Sequence, residues 1–222
     1  VVDRDRIDHP QVLDGPADVV EVVLNIELGG VHADDHQPVL LIFLGRVKAL
    51  HGSMVAALRR GPERQLQRFG AAQGGALPAS FEGLEPVVPG AAEGVLLGGN
   101  LAVLTALIGT PHFPPLTDAV LFLEDIGERP YRVDRMLTTW RSAGAFKGVR
   151  GVVLGAFTQS DPGSDGVSVE EVLCERLGDL GVPVARGLPA GHLDDNSELP
   201  FGARVSLDAS AGRLQLQIGR NA

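Results

Sequence analysis

Between Ala119 and Ala185, short apolar runs alternate with amphipathic stretches, and this alternation constrains the fold more than any other feature of the 222-residue chain. Residues 119–123 are continuously apolar and end at Glu124, the pattern of a strand covered on both faces. Val133, Met136, Leu137 and Trp140 then fall on one helical stripe, which Gly144 terminates. Residues 149–157 read as a second buried strand. Ser168 and Glu171 form a capping-box pair opening a helix that carries Val172, Leu173, Leu177 and Leu180 and closes at Gly181. Residues 182–185 are a third strand, running into a glycine-rich loop that holds His192. Repeated strand–helix units predict an α/β fold with a parallel sheet, right-handed crossovers and covering helices.

The flanks are less regular. Asn100 is placed to cap a helix whose apolar face is Leu101, Leu104 and Ile108, stopped at Gly109-Thr110-Pro111. Residues 203–207 and 213–218 predict a hairpin turning at Ser210-Ala211-Gly212. Upstream, 54–60 and 63–69 read as helices, and the Gly/Ala/Pro-rich stretch 70–90 as the candidate domain boundary. Residues 1–52 differ in character: they contain no serine, threonine or cysteine, and only two strand-like runs, 19–26 and 39–44, stand out.

A formal charge of −9 argues against nucleic acid or an anionic membrane as partner, because both reward clustered positive charge. The longest apolar run, 38–44, is far too short to span a bilayer, and no signal-peptide pattern is visible. The chain opens on Val1, which reads as a fragment, a processed chain or a mis-started product. The single cysteine, Cys174, has no internal disulfide partner and reads as a buried thiol.

In a parallel sheet, the carboxyl ends of the strands form the usual ligand crevice. Glu124 ends the first strand and His192 lies in the loop after the third, so both side chains are expected at one edge. A carboxylate that accepts one imidazole N–H fixes the tautomer and leaves the other ring nitrogen free to act as a base. Taken alone, a strand-end glutamate suits a surface or capping role equally, and a loop histidine a solvated one. His32, Asp34, Asp35 and His36 are chemically suitable metal ligands, but no supporting ligand motif accompanies them, and a solvated turn is the simpler reading.

Longer motifs add a resemblance. Leu97-Gly98-Gly99-Asn100-Leu101, Gly109-Thr110-Pro111, and Leu121-Phe122-Leu123-Glu124-Asp125-Ile126-Gly127-Glu128-Arg129-Pro130-Tyr131-Arg132-Val133-Asp134-Arg135-Met136-Leu137 come in order. Gly151-Val152-Val153-Leu154-Gly155-Ala156-Phe157, Gly187-Leu188-Pro189-Ala190-Gly191-His192 and Leu199-Pro200-Phe201-Gly202-Ala203 follow them. Together they resemble the LD-carboxypeptidase (muramoyltetrapeptide carboxypeptidase) family, over residues 47–218. His51-Gly52-Ser53-Met54 is similar to the stretch following that family's nucleophile helix.

The resemblance implies a cytoplasmic serine peptidase of peptidoglycan recycling, which releases terminal D-alanine from murein tetrapeptide without metal or cofactor, as a homodimer. It implies Glu124 and His192 as the catalytic acid and base of a Ser-His-Glu triad. It also implies a swivelling β/α C-terminal domain, here 91–222, after a linker (76–90), a remnant of the α/β nucleophile domain (47–75) and an atypical segment (1–46).

The family's nucleophile belongs to a Gly-x-Ser-Asp-x-Thr turn. Its equivalent here, around His32-Ala33-Asp34-Asp35-His36, has no hydroxyl or thiol. No nucleophile is therefore assigned; Ser53 lacks the second glycine of a nucleophile elbow and reads as a helix cap. A frameshifted, mispredicted or recombined 5′ region is the favoured explanation, and the chain as written is expected to be inactive. The alternatives are a non-catalytic muropeptide-binding pseudoenzyme and a member of the related branch that destroys peptidyl-nucleotide antibiotics. Gly98-Gly99-Asn100 is expected to give close backbone approach and a helix cap, and Arg129, Arg132, Asp134 and Arg135 to form exposed or interface ion pairs rather than a substrate clamp.

Overall fold

Residues 119–123 alternate cleanly between two apolar environments, and the architecture of the described residues follows from that. The computed structural model describes residues 49–51, 77–163 and 166–217. On β5 (Ala119–Ile126), Ala119, Leu121 and Leu123 face one core cluster while Val120 and Phe122 face another. A strand apolar on both sides can only lie inside a sheet.

The sheet has eight strands in the order β2-β10-β9-β4-β5-β6-β7-β3. Its centre is parallel: β4 (Ala91–Asn100), β5, β6 (Gly151–Thr158) and β7 (Val184–Arg186). They are joined by helices α1 (Leu101–Leu107), α2 (Pro130–Ser142) and α3 (Val169–Leu177). The expected parallel sheet is thus present, but it is flanked by antiparallel strands. The tail hairpin forms as β9 (Arg204–Asp208) and β10 (Arg213–Leu216), with β9 against β4.

Two further edge strands, β2 (Ser80–Glu82) and β3 (Glu85–Val88), lie in the glycine- and proline-rich stretch read as a linker. They pair with β10 and β7 respectively, at opposite edges of the sheet. A separate two-stranded ladder joins β1 (Ala49–His51) to β8 (Leu199–Phe201). The other upstream expectations (the strands at 19–26 and 39–44, the helices at 54–60 and 63–69) lie outside the described residues.

All three described helices contribute to a single core cluster, so they cover one face. Trp140 is its largest buried side chain, edge-on to Phe113 at 5.4 Å and 5.3 Å from Phe146 between ring centroids. Its indole N–H donates to Thr105 Oγ1 at 2.8 Å, so the polar end of the ring is satisfied. The stripe Val133, Met136, Leu137 and Trp140 is buried as the spacing predicts. Ser168 and Glu171 form their capping box, although α3 ends at Gly178 rather than Gly181. Among the described residues, the opposite face is closed by Leu188, Ala190, Leu199 and Phe201 from the chain after β7. That chain carries His192.

β4 enters α1 through Gly98-Gly99-Asn100. A Cβ at Gly98 would run into the backbone of Phe122 on β5, and its φ of 144° suits glycine alone. Asn100 then accepts from Val103 N–H as the helix cap.

Candidate active site

Side-chain alternation along β5 sends Glu124 to the face of Val120 and Phe122, and Asp125 to the face covered by α1, α2 and α3. Both lie at the carboxyl end of the parallel strands, where the sheet leaves room for a ligand.

A bulge sits beside them. Leu123 pairs with Leu154 and Asp125 with Phe157, so Gly155 and Ala156 together face the single residue Glu124. The extra residue releases one amide from the ladder. Ala156 N–H donates instead to the carbonyl of Ala190 at 2.8 Å. The loop after β7 is therefore tied to the sheet immediately before His192.

Three more bonds shape this loop. Leu193 N–H closes on the Gly191 carbonyl at 2.9 Å, and Gly191 N–H donates to Asn196 Oδ1 at 2.8 Å. Thr158 Oγ1, at the end of β6, donates to the carbonyl of His192 at 3.3 Å.

The result is a buried pair. His192 Nδ1 lies 2.6 Å from Glu124 Oε2, with the side chains 6% and 1% exposed. With the carboxylate as acceptor the imidazole Nδ1–H donates, and in the neutral ring this leaves Nε2 as the free acceptor nitrogen. Among the described residues, neither His192 Nε2 nor Glu124 Oε1 has a hydrogen-bond partner. An imidazole held this way by an acid is competent to take up a proton at Nε2.

Asp125 serves the other face. It accepts from Asn100 Nδ2, from Ala102 N–H at the start of α1 and from its neighbour Ile126 N–H, at 2.9, 2.9 and 2.8 Å. Burial outweighs these bonds and lifts its carboxyl to about 6, with the nearby Glu124 charge adding to the rise. It thus locks the β4–α1 corner to the strand bearing Glu124.

Of the residues singled out in the sequence, Glu124 and His192 come together. Asn196, Thr158 and the bulged Ala156 were not foreseen; the one signal for Asn196 was an Asx residue in a turn-rich loop. Arg132 pairs with Glu128 and Arg176 with Asp134, both at the surface, as expected of that charged stretch. Cys174 is half-buried and unpaired in any disulfide. Among the described residues no group of three His, Cys, Asp or Glu side chains could hold a metal, and no helix is long and apolar enough to cross a membrane. Ser53 and the group His32, Asp34, Asp35, His36 lie outside the described residues.

The LD-carboxypeptidase C-terminal domain matches residues 93–207, more than half of the chain and inclusive of both Glu124 and His192. The chain belongs to the LD-carboxypeptidase family. A Synechocystis sp. protein, named provisionally as a carboxypeptidase, is 40% identical over 176 residues, covering 75% of this chain and 56% of its own. The murein tetrapeptide carboxypeptidase of Pseudomonas aeruginosa is 32% identical over 121 residues, 53% of this chain and 39% of that one. The crystal structure of muramoyltetrapeptide carboxypeptidase from Oxalobacter formigenes superimposes with a TM-score of 0.66 at 32% identity, covering 77% of this chain and 61% of that one. This LD-carboxypeptidase family member therefore spans about half the length of the relatives it matches.

Proposed function

We propose that this chain carries the acid–imidazole half of an LD-carboxypeptidase serine peptidase acting on murein tetrapeptide. The buried contact between His192 Nδ1 and Glu124 Oε2 supports this reading most directly. In the proposed reaction a serine hydroxyl attacks the L,D amide and His192 Nε2 takes its proton, then returns it to the departing D-alanine. Glu124 holds the imidazole and stabilises its cationic form. The scheme itself uses no metal or cofactor.

The serine is the missing element. Residues 31–38, where the family places its nucleophile turn, contain no hydroxyl or thiol. As written, the chain is expected to turn muropeptide over at no more than the residual roughly 10³–10⁴-fold over water that remains when one triad member is lost, and that remainder requires an intact oxyanion hole. The domain limits given above, the cytoplasmic location and the homodimer are part of this same reading.

Two measurements test it. The coding DNA read in its other frames is expected to contain a Gly-x-Ser-Asp-x-Thr turn upstream of His51, and its absence from every frame removes the frameshift explanation. The chain with that turn restored is expected to release D-alanine from a murein tetrapeptide and to lose this activity in H192A. Release from a peptidyl-sulfamoyl-adenylate but not from the tetrapeptide would assign the chain to the antibiotic-destroying branch instead.

A further inference from the structure

We propose that Asn196 is a positioning residue for His192, its buried carboxamide oxygen holding the peptide group that aims the imidazole. The inference rests on the reading of Glu124 and His192 as a working pair.

The peptide joining Ala190 to Gly191 is gripped from both sides. Its carbonyl accepts from Ala156 N–H on the bulge of β6, and its N–H donates to Asn196 Oδ1, each at 2.8 Å. The first grip belongs to the sheet. The second comes from a side chain only 3% exposed, four residues beyond the histidine it serves. Ser197 N–H adds a backbone bond to the Pro189 carbonyl at 2.9 Å, so the chain from 189 to 197 is drawn into a closed turn around His192.

Geometry makes the second grip matter. Gly191 has a φ of 119° and no side chain, so its backbone is the freest hinge in the turn. Among the described residues, the hydrogen bond donated to the backbone carbonyl of His192 by Thr158 Oγ1 is long at 3.3 Å. Without Asn196, the peptide could rotate about Gly191 and carry the imidazole off the carboxylate. Misplacement by about 1 Å is enough to lose a catalytic alignment. An amide oxygen also suits the place chemically: it accepts the N–H without adding a second negative charge beside buried Glu124.

The test uses the full chain and needs no turnover. An imidazole Nδ1 proton donated to a carboxylate gives a far-downfield, slowly exchanging NMR signal, assigned to His192 by its loss in H192Q. The wild type is expected to show it. N196A is expected to keep its circular dichroism yet lose the signal, or exchange that proton about tenfold faster, the scale of one buried hydrogen bond. N196D, which retains an acceptor oxygen at the same reach but sets a negative charge beside Glu124, is expected to restore it only in part. A folded N196A with the wild-type signal and exchange rate overturns the proposal. If N196A does not fold, N196S is read the same way; if neither folds, the residue is structural and the proposal fails. A wild type without the signal overturns the pair itself, which separates the two failures.

Discussion

Gly191 lies so close to Glu124 that a Cβ at position 191 would sit 3.0 Å from both the Cβ and the Oε2 of the acid. The loop bearing the base is thus pressed against the acid's own side chain. Gly191→Ala is expected to push Glu124 Oε2 away from His192 and to strain a backbone held at positive φ. The expected cost is about 1–3 kcal/mol of stability, with loss of the downfield imidazole proton. Urea denaturation and the proton spectrum of the folded variant check the two effects separately.

How much of this was legible beforehand depends on what kind of signal each element carries. β5 and α2 announce themselves through apolar runs and spacing, and α3 through Ser168 and Glu171, because those patterns reflect local geometry. β4 does not. Gly94 and Gly98 interrupt its alternation, since at both positions the backbone packs too closely on the neighbouring chain of Asp118–Phe122 for a side chain. β2, β3 and β8 are three or four residues long, and Pro86 and Pro200 sit inside them, which edge strands tolerate. Glu124 and His192 could be placed at one edge of a sheet from the pattern, and in one motif set from the resemblance. Their contact depends on the bulge at Gly155-Ala156 and on Asn196, which are matters of register and tertiary closure. Neither leaves a periodic trace in a sequence.

Asp125 makes stability depend on pH. Its carboxyl is lifted from an ordinary 3.8 to about 6 in the fold, so between these values the folded state holds a proton that the unfolded state has lost. The slope of unfolding free energy with pH is then negative. The contribution is fully present below about pH 4 and is lost as pH rises through about 6, amounting to at most about 3 kcal/mol. Asp125→Asn, which cannot titrate, is expected to flatten the profile across that window. Parallel urea titrations at pH 4.5 and pH 7.5 give the comparison, and equal slopes for the two proteins would count against it.

Trp140 is the chain's single tryptophan and joins α2 to α1 through its bond to Thr105. Trp140→Phe keeps most of the aromatic contact with Phe113 and Phe146 but leaves the Thr105 hydroxyl without that donor. The expected loss is about 1–2 kcal/mol, against about 3–5 for Trp140→Ala, which opens a cavity under the helical layer. Chemical denaturation followed by far-UV circular dichroism distinguishes the two, since the fluorescent probe itself is removed.

The pair at the sheet edge should also be visible as coupling between its members. Glu124 is almost wholly buried, so removing the imidazole leaves a carboxylate with its acceptor oxygens unmatched in an apolar surround. His192→Ala is therefore expected to cost more than the lost contacts alone, about 1–3 kcal/mol. Glu124→Gln strands the imidazole N–H less severely, because the amide oxygen still accepts. In the double variant the penalty of the unmatched acid disappears, so its cost falls short of the sum of the two single changes. The interaction energy from the double-mutant cycle is expected at about 0.5–3 kcal/mol. Strict additivity, within about 0.3–0.5 kcal/mol, would show that the two side chains do not meet in solution, and the peptidase reading would go with them.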